Sequence, residues 1–333
     1  MLFNLKNLVL AFQKNLNKLF KANLLQKLFV FFLLLLLICI IFNYFNKSPR
    51  EGFEQKKEFT VFTNADIYDD FYVTIYDDLV YNKVKNEYEI GEIINHTKPT
   101  SNSKLLDIGC GTGHHLDACK DKFSDLIGID VSPSMIKKAQ SNYPALKYKR
   151  ANALDNMIFE SNQFTHITCF YFTIYYMKNK NQFFQNTYGW LMPGGYLVLH
   201  LVDPDKFDPI IPAGDPTIII SPQKYSKKRI TNTVVKFDNY EYKSNFDMLS
   251  DKENSGSNLD SDSESGPANV KFAESIRNTK TGDVRINNHM LYMSSQKDII
   301  NQAKKVGFTL LKIVDLKECK YDHQYLYILK KPE

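Results

Sequence analysis

The segment from Lys104 to Gly113, KLLDIGCGTG, constrains the fold of this chain more than any other. Lys104 to Ile108 is a short, mostly apolar run typical of a buried strand. Three glycines follow at alternate positions, and glycine lets the backbone turn sharply and approach a ligand closely. Helical periodicity then begins with Leu116 and Cys119. A strand, a glycine-rich turn and a helix in this order predict an α/β fold that holds a nucleotide-like ligand at the turn.

The spacing of the glycines argues against two common nucleotide sites. Gly109, Gly111 and Gly113 form Gly-x-Gly-x-Gly, which is neither the Gly-x-Gly-x-x-Gly dinucleotide fingerprint nor a P-loop followed by Gly-Lys-Ser/Thr. A second apolar strand, Leu126 to Asp130, ends in a carboxylate about twenty residues after the turn, where it can accept hydrogen bonds from ribose hydroxyls. For the glycines alone, a tight connection between strand and helix is the alternative interpretation.

The two motifs together resemble a known family. Leu105 to Gly113, followed by GIDVSPSMI from Gly128 to Ile136, is similar to the class I S-adenosylmethionine-dependent methyltransferases. The resemblance implies an α/β fold with a Rossmann-like, seven-stranded, mostly parallel sheet, and S-adenosyl-L-methionine as cofactor. It also implies an enzyme that moves a methyl group by in-line displacement and requires no metal. An aligned, dry site is the main contribution of the protein to such a reaction.

The resemblance further implies which residues contact the cofactor. Met135 would lie against the adenine, and Asn152 stands where the family commonly has an aspartate that accepts from the adenine amino group. An amide oxygen can also accept that bond. Lys85 ends a Tyr…Tyr…Lys/Arg pattern whose basic residue reaches the methionyl carboxylate. The expected cofactor-binding residues are Tyr81, Lys85, Asp107, Gly109, Cys110, Gly111, Gly113, Asp130, Val131, Met135, Asn152, Ala153 and Phe170.

Four residues are candidates for catalysis at the methyl acceptor. His200 ends a predicted strand at the carboxyl edge of the sheet, where open α/β sheets place ligands. Tyr76 belongs to the segment that resembles a lid, and Tyr175 to an aromatic run whose π faces suit a methyl sulfonium. His289 would lie on a ribbon near the acceptor, by a looser resemblance to amino-sugar N,N-dimethyltransferases and glycine-type N-methyltransferases. Packing in the core is the alternative role for each.

The region after Asp203 predicts an inserted β-ribbon that is interrupted by a polar tract. Asp251 to Gly266 contains almost no apolar residue, so burial of apolar surface cannot offset the conformational entropy that ordering would cost. This tract is therefore predicted to be a disordered loop. The other predicted elements are the strands Thr233–Tyr242, Val270–Ile276 and Val284–Met293, the helix Ser294–Val306, and an antiparallel pair Phe308–Val314 and Tyr325–Leu329 that closes the sheet.

An apolar run near the N-terminus predicts one transmembrane helix. Leu28 to Phe42 contains no charged residue, and the extension to Phe45 approaches the roughly 18–20 residues that cross a bilayer. A signal peptide and an additional core helix are the alternatives. The predicted localisation is therefore a single-pass membrane protein with a cytosolic catalytic domain. The predicted domains are a basic segment 1–27, a membrane helix 28–45, a linker 46–63, and a methyltransferase domain 64–332 with a core 100–202 and a substrate cover 203–293.

Charge and cysteine usage limit the expected partners. The formal net charge is +5 and lies mostly in residues 1–50, which contain no acidic residue. No basic stripe interleaved with aromatic residues follows, so a nucleic-acid partner is not expected. The five cysteines form no CxxC or Cys/His pair, which argues against a zinc site and for free thiols. The predicted partners are a small-molecule or lipid-like amine or hydroxyl acceptor and, through the anchor, a membrane.

Two other functions stay open at this point. The same fold could methylate a protein or a quinone. It could also bind the cofactor without catalysis and serve as an interaction module, an alternative that Asn152 and Thr165 would support because the family usually has aspartate at both positions.

Overall fold

A mostly parallel sheet holds the glycine turn at its centre. The computed structural model describes residues 60–209, 222–249 and 269–333, together with isolated positions between 23 and 38. The chain divides into two compact units, Met1–Lys57 and Glu58–Glu333. All the elements below belong to the second unit.

The described strands and helices follow one another in a mixed α/β order. The strands are β1 Thr60–Thr63, β2 Lys104–Ile108, β3 Asp125–Asp130, β4 Lys147–Arg150, β5 Phe164–Cys169, β6 Leu191–Val202, β7 Asn232–Lys236, β8 Tyr240–Met248, β9 Val270–Asn278, β10 Val284–Leu291, β11 Thr309–Asp315 and β12 Gln324–Lys330. The helices are α1 Tyr72–Val80, α2 Lys83–Thr97, α3 His114–Ala118, α4 Pro133–Asn142, α5 Thr173–Tyr176, α6 Lys180–Trp190 and α7 Gln296–Val306.

The larger sheet has seven strands in the order β11-β12-β6-β5-β2-β3-β4. The pairs from β6 to β4 are parallel, whereas β12 is antiparallel to both of its neighbours. This confirms the predicted mostly parallel sheet and its antiparallel closing pair. The central strands β2, β5 and β6 are largely buried, as expected for parallel strands that helices cover on both faces.

A second sheet, in the order β1-β10-β9-β8-β7, corresponds to the predicted ribbon. The predicted strand Thr233–Tyr242 is instead the hairpin β7–β8, because Asp238 and Asn239 form a turn that is closed by the Phe237 N–H on the Tyr240 carbonyl. Thr60–Thr63, at the end of the predicted linker, forms β1 and pairs with β10. The predicted loop 251–266 lies outside the described residues.

Helix boundaries follow the capping signals of the sequence. The Ser132 hydroxyl accepts from the Met135 N–H at 3.1 Å, and Pro133 occupies the first turn of α4. Gly307 ends α7 with φ 122°. The cap of α4 matters for the site, because it fixes the chain immediately after Asp130.

The predicted membrane localisation is wrong. No helix among the described residues is both long and apolar enough to cross a bilayer. Most of residues 28–45, like the predicted basic segment 1–27, lies outside the described residues. The physical reason is length, since the uninterrupted apolar run is about 15 residues and a bilayer core requires about 20.

Candidate active site

A cavity of about 270 Å³ lies at the carboxyl ends of β2 and β3. It forms where open α/β sheets bind ligands, beside the turn that follows the first central strand. The predicted site residues that line it are Tyr76, Gly109, Gly111, Asp130, Val131, Met135, Asn152 and Ala153. Thr173 and two tyrosines that the sequence analysis did not select, Tyr68 and Tyr176, also line it.

The glycine turn requires glycine at each of its three positions. Gly109, Gly111 and Gly113 have φ values of 71°, 52° and 92°, which lie in the left-handed region. A Cβ on Gly109 would collide with Thr173. A Cβ on Gly113 would lie 2.7 Å from the Tyr148 hydroxyl. Glycine therefore allows the turn to pack closely against Thr173 and Tyr148, and Gly109 and Gly111 present bare backbone to the cavity.

Asp130 joins the end of β3 to this turn. Its carboxylate accepts from the Gly111 N–H at 3.1 Å and from the Ser132 N–H at 2.9 Å. Burial raises the pKa of Asp130, and these backbone donors oppose that rise. Each carboxylate oxygen has two acceptor sites, so one site on each oxygen remains for the two hydroxyls of a ribose. The residue types and their placement fit the adenosyl part of the expected cofactor.

Asp107 lies beneath the turn and not among the described residues that line the cavity. Its carboxyl is buried and accepts from the Thr168 hydroxyl at 2.7 Å. Burial raises the pKa of Asp107 to about 7, and the charges of Asp130 and Glu89 add to this effect. We therefore assign Asp107 to support of the turn, where its expected role was direct contact with the cofactor.

Met135 and Asn152, the two residues expected to contact adenine, both line the cavity. Met135 is 1% exposed and held by the cap of α4. The Asn152 side-chain oxygen accepts from the Leu154 N–H at 3.0 Å in a local turn. One lone pair of that oxygen stays free, so an amino group can still donate to it.

Tyrosines form the wall opposite the glycine turn. The Tyr68 ring meets Tyr76 edge to face with centroids 6.1 Å apart, and its hydroxyl is 2.9 Å from that of Tyr176. Tyr175, the expected catalytic tyrosine, instead turns into the core. It is fully buried, and its hydroxyl accepts from the Val202 N–H at 2.9 Å. Because adjacent helical residues point about 100° apart, α5 presents only one of the two neighbours to the cavity.

Two further predicted site residues belong to a separate buried group, which we call the Glu89 cluster: Lys85, Glu89, His115 and His200. The Lys85 Nζ lies 2.8 Å from the Glu89 carboxylate, and both side chains are fully buried. His115 binds the other oxygen at 2.9 Å, and His200 lies 3.6 Å from the first. Burial opposes ionisation of Glu89, but Lys85 and the two histidines outweigh it and lower the carboxyl pKa to about 2.

No member of the Glu89 cluster is among the described residues that line the cavity. Strand alternation explains why His200 points away from the cavity. On β6, His200 shares a face with Val198, which packs in one cluster with Ile90 of α2. Leu199 and Leu201 point to the opposite face and belong to the other core cluster. Burial and the nearby Lys85 lower the pKa of His200 to about 3. The structure thus places His200 and Lys85 apart from the cavity, contrary to their expected roles.

The remaining predicted contacts lie around the turn without lining the cavity. Tyr81 ends α1 and stacks on His114 with centroids 3.9 Å apart. Phe170 stacks on His115 at 4.0 Å. The buried Cys110 lies against Gly128, where a Cβ would approach its sulfur to 2.7 Å. These residues shape the turn and its surroundings.

His289 lies behind the tyrosine wall in a second buried group, which we call the Glu274 network: Tyr72, Tyr176, Tyr242, Glu274, Asn287 and His289. His289 hydrogen bonds to the Tyr176 hydroxyl through Nδ1 and to Glu274 through Nε2, the latter at 2.9 Å. Glu274 was not among the site residues predicted from the sequence. The available signal was a carboxylate at an inward position of β9, between the apolar Phe272 and Ile276.

Comparison with known proteins connects this geometry to a family. Residues 106–199 match the family model described as a methyltransferase domain. The chain is 25% identical over 139 residues to dTDP-3-amino-3,4,6-trideoxy-alpha-D-glucopyranose N,N-dimethyltransferase of Streptomyces venezuelae, a match that covers 41% of this chain and 56% of the relative. It is 30% identical over 125 residues to dTDP-4-amino-2,3,4,6-tetradeoxy-D-glucose N,N-dimethyltransferase of Saccharopolyspora spinosa, covering 36% and 49%. The matches thus span about half the length of these curated relatives.

A solved structure extends the likeness to the fold. The SAM-bound CalS10, an amino pentose methyltransferase from Micromonospora echinaspora, superposes with a TM-score of 0.53 at 15% identity, over 78% of this chain and 96% of that one. The matched family model covers β2 to β6, which contain the glycine turn and Asp130. The predicted family and its cofactor, S-adenosyl-L-methionine, are confirmed. The chain carries a domain of the class I S-adenosylmethionine-dependent methyltransferases.

Proposed function

We propose that this protein transfers a methyl group from S-adenosyl-L-methionine to the amine nitrogen of a small, sugar-like acceptor. The observation that carries the proposal is the cavity in which the bare glycine turn and the Asp130 carboxylate face a wall of tyrosines. When bound, the cofactor supplies a methyl group on a sulfonium, which is already a good leaving group. The protein contributes by binding and orienting the cofactor and the acceptor and by excluding water from the site.

Three groups of residues would hold the cofactor. Asp130 would accept from the ribose hydroxyls, and Met135 and Asn152 would contact the adenine. The backbone at Gly109 and Gly111 would lie along the methionyl chain, and at Gly111 a Cβ would meet no described atom closer than the Tyr76 ring at 3.8 Å. The rings of Tyr68, Tyr76 and Tyr176 would lie nearest the sulfonium, since π faces attract cations.

The second sheet supports a small acceptor. It contributes His289 behind the cavity wall, and the segment before α1 contributes Asn64 and Ala65 to the cavity lining. A cover of this kind can enclose a small acceptor, whereas a protein acceptor would need an open surface. Both curated relatives are named for dimethylation of an amino sugar, which favours an amine. We propose residues 64–332 as the methyltransferase domain and 203–293 as its substrate cover.

Calorimetry tests the cofactor site. S-adenosylhomocysteine should give saturable heat, and Asp130→Ala should weaken binding by about 1–3 kcal/mol because charge-assisted hydrogen bonds are lost. Asp125→Ala is the matched control, because Asp125 begins the same strand and pairs with the exposed Lys147 at 2.6 Å. Unchanged affinity in the Asp130 variant would show that the ribose binds elsewhere.

A transfer assay tests the acceptor. The full chain is incubated with S-adenosylmethionine labelled in its methyl group and a dTDP-linked amino-deoxyhexose, and the products are separated by size. Label in a small product, the N-methylated dTDP-linked sugar, is expected. Label that appears only in protein, when an extract replaces the sugar, would instead support a protein acceptor. Saturable cofactor binding without transfer to any acceptor would contradict the catalytic part of the proposal.

A further inference from the structure

We propose that Tyr176, His289 and Glu274 form a proton relay that takes one proton from the ammonium group of the acceptor before methyl transfer. The inference rests on the proposed function and extends it to the acceptor's protonation state. An ammonium has no lone pair and cannot attack a methyl group. An enzyme that accepts such a substrate at neutral pH therefore benefits from a base within hydrogen-bond reach.

The relay begins at the wall of the cavity. Tyr176 lines the cavity, and its hydroxyl contacts Nδ1 of His289. Nε2 of His289 lies 2.9 Å from an oxygen of Glu274. His289 and Glu274 are 2% and 1% exposed, so solvent does not compete for these contacts. An unbroken chain of hydrogen bonds thus joins the cavity to a buried carboxylate.

The donors around Glu274 determine the tautomer of His289. One carboxylate oxygen accepts from the hydroxyls of Tyr72 at 2.8 Å and Tyr242 at 2.7 Å, and the other accepts from the Asn287 amide at 2.9 Å. With three acceptor sites occupied by donors, the fourth requires a donor as well, which is Nε2–H of His289. Nδ1 therefore carries a lone pair and points at the Tyr176 hydroxyl.

Glu274 remains ionised in this environment. Burial alone would raise the pKa of Glu274, but the hydrogen bond and charge of His289, with the bonds from Asn287 and Tyr242, lower it overall. An ionised carboxylate on Nε2 stabilises the imidazolium that forms when Nδ1 accepts a proton. This is the physical requirement for a histidine that takes up a proton in a buried place.

Other charged groups near the network are already paired. Arg285 donates from Nε to the Asn287 side-chain oxygen at 2.8 Å and binds the Asp69 carboxylate at 2.7 Å. It thereby turns the Asn287 amide towards Glu274. On the cavity side, Tyr68 lies between the network and Asp130, with its hydroxyl 2.9 Å from that of Tyr176. Among the described residues, the charged group in contact with His289 is therefore Glu274, while Arg285 reaches the network through Asn287 and Asp130 acts on Tyr68.

The proposed step is balanced. The acceptor ammonium gives one proton to the Tyr176 oxygen as the Tyr176 hydroxyl proton passes to Nδ1 of His289. The freed lone pair forms the new N–C bond, while the electron pair of the C–S bond passes to sulfur and yields S-adenosylhomocysteine. The product amine carries the positive charge, and the imidazolium releases its proton to water when the cavity opens.

The pH dependence of transfer tests the relay. Full-length His289→Gln, Glu274→Gln and Tyr176→Phe are assayed with the dTDP-linked amino-deoxyhexose between pH 6 and 10. A lost general base costs about 10²–10⁴-fold in kcat/KM at neutral pH. The defect should shrink as pH rises above the ammonium pKa, because free amine then needs no base. Calorimetry with S-adenosylhomocysteine should show the variants folded and able to bind.

His166→Gln is the matched control. His166 is also a buried strand histidine, but it bonds to Thr165 and lies outside the described cavity lining, so its variant should keep wild-type rates. A defect of equal size at every pH in the relay variants, or no defect, would overturn the proposal. A merely structural role for His289 predicts the first of these outcomes.

Spectroscopy separates failure of the relay from failure of the proposed function. With ¹⁵N-labelled histidine, the ring signals of His289, identified by their loss in His289→Gln, should show Nε2–H and unprotonated Nδ1. Glu274→Gln should change this tautomer, because an amide nitrogen would then face Nε2 or Asn287 in place of a carboxylate oxygen. If the wild type binds S-adenosylhomocysteine but methylates no amine, the acceptor assignment fails, and these spectra alone decide the relay. A resting Nδ1–H tautomer would overturn it.

Discussion

Two buried glutamates, Glu89 and Glu274, each bind a histidine but differ in their other partners. Glu89 forms an ion pair with Lys85 at 2.8 Å, with His115 and His200 around it. Glu274 is surrounded by hydroxyl and amide donors and by His289. Only the second group reaches a described lining residue of the cavity. The difference indicates that the first group holds the fold together, whereas the second is available for proton transfer.

The largest expected effect concerns the Glu89 cluster. Glu89→Gln leaves the Lys85 ammonium buried without its counter-charge, and breaking a buried pair in this way costs about 3–5 kcal/mol. The free energy of unfolding, measured with urea, should fall by that amount. Glu87→Gln is the control, because Glu87 pairs with Lys83 on the surface of the same helix and should change stability by less than about 1 kcal/mol. A small effect at Glu89 would show that the cluster is not structural.

Acid should destabilise the protein through the same cluster. The Glu89 pKa falls from its usual 4.5 to about 2 in the folded state, so its contribution is complete above pH 4.5 and is lost as pH falls through about 2. The His200 pKa, lowered from 6.5 to about 3, acts in the same direction, beginning near pH 6.5. At about 1.4 kcal/mol per pKa unit, Glu89 accounts for on the order of 3 kcal/mol. Urea unfolding midpoints measured from pH 7 to 2 test this. If the midpoint of Glu89→Gln fell with decreasing pH as steeply as that of the wild type, the prediction would be contradicted.

Glu274→Gln should cost less stability than Glu89→Gln. No buried cation loses its counter-charge, and the loss is that of hydrogen bonds to a charged acceptor, about 1–3 kcal/mol. Urea unfolding of the two variants under identical conditions makes the comparison. If Glu274→Gln lowered the free energy of unfolding more than Glu89→Gln, the Glu274 network would be primarily structural. The contrast with the Glu89 cluster that favours a role in proton transfer would then be lost.

Local sequence pattern predicted the parts of the site that lie close together in the chain. The glycine turn, Asp130 and the cap at Ser132 fall within about thirty residues, and their geometry follows from turn and capping rules. Apolar runs and turn signals marked the individual strands, whereas their arrangement as a Rossmann-like, seven-stranded sheet was implied by the family resemblance.

These local rules cannot predict contacts between segments that are far apart in the sequence. The Tyr72 hydroxyl reaches Glu274 across 202 positions, and no local periodicity reports that pairing. His200 was assigned from its place at the end of a strand, but strand alternation and the packing of α2 decide which face it occupies. Lys85 was assigned from a family pattern, and its position on α2 one turn before Glu89 turns it into the core instead. Tyr175 was selected as the catalytic tyrosine, but its neighbour Tyr176 is the one that lines the cavity.

The smallest expected effects concern these two neighbours on α5, and they sharpen the comparison most directly. Tyr175→Phe removes a buried hydroxyl that accepts from the Val202 N–H at 2.9 Å, which should cost about 1–2 kcal/mol of stability since that donor is left unpaired. It should leave the pH profile of transfer unchanged. Tyr176→Phe should instead alter the pH profile, because its hydroxyl links the cavity to His289. Thermal unfolding and transfer rates of both variants measure the two effects, and equal behaviour would mean that α5 does not separate core from cavity.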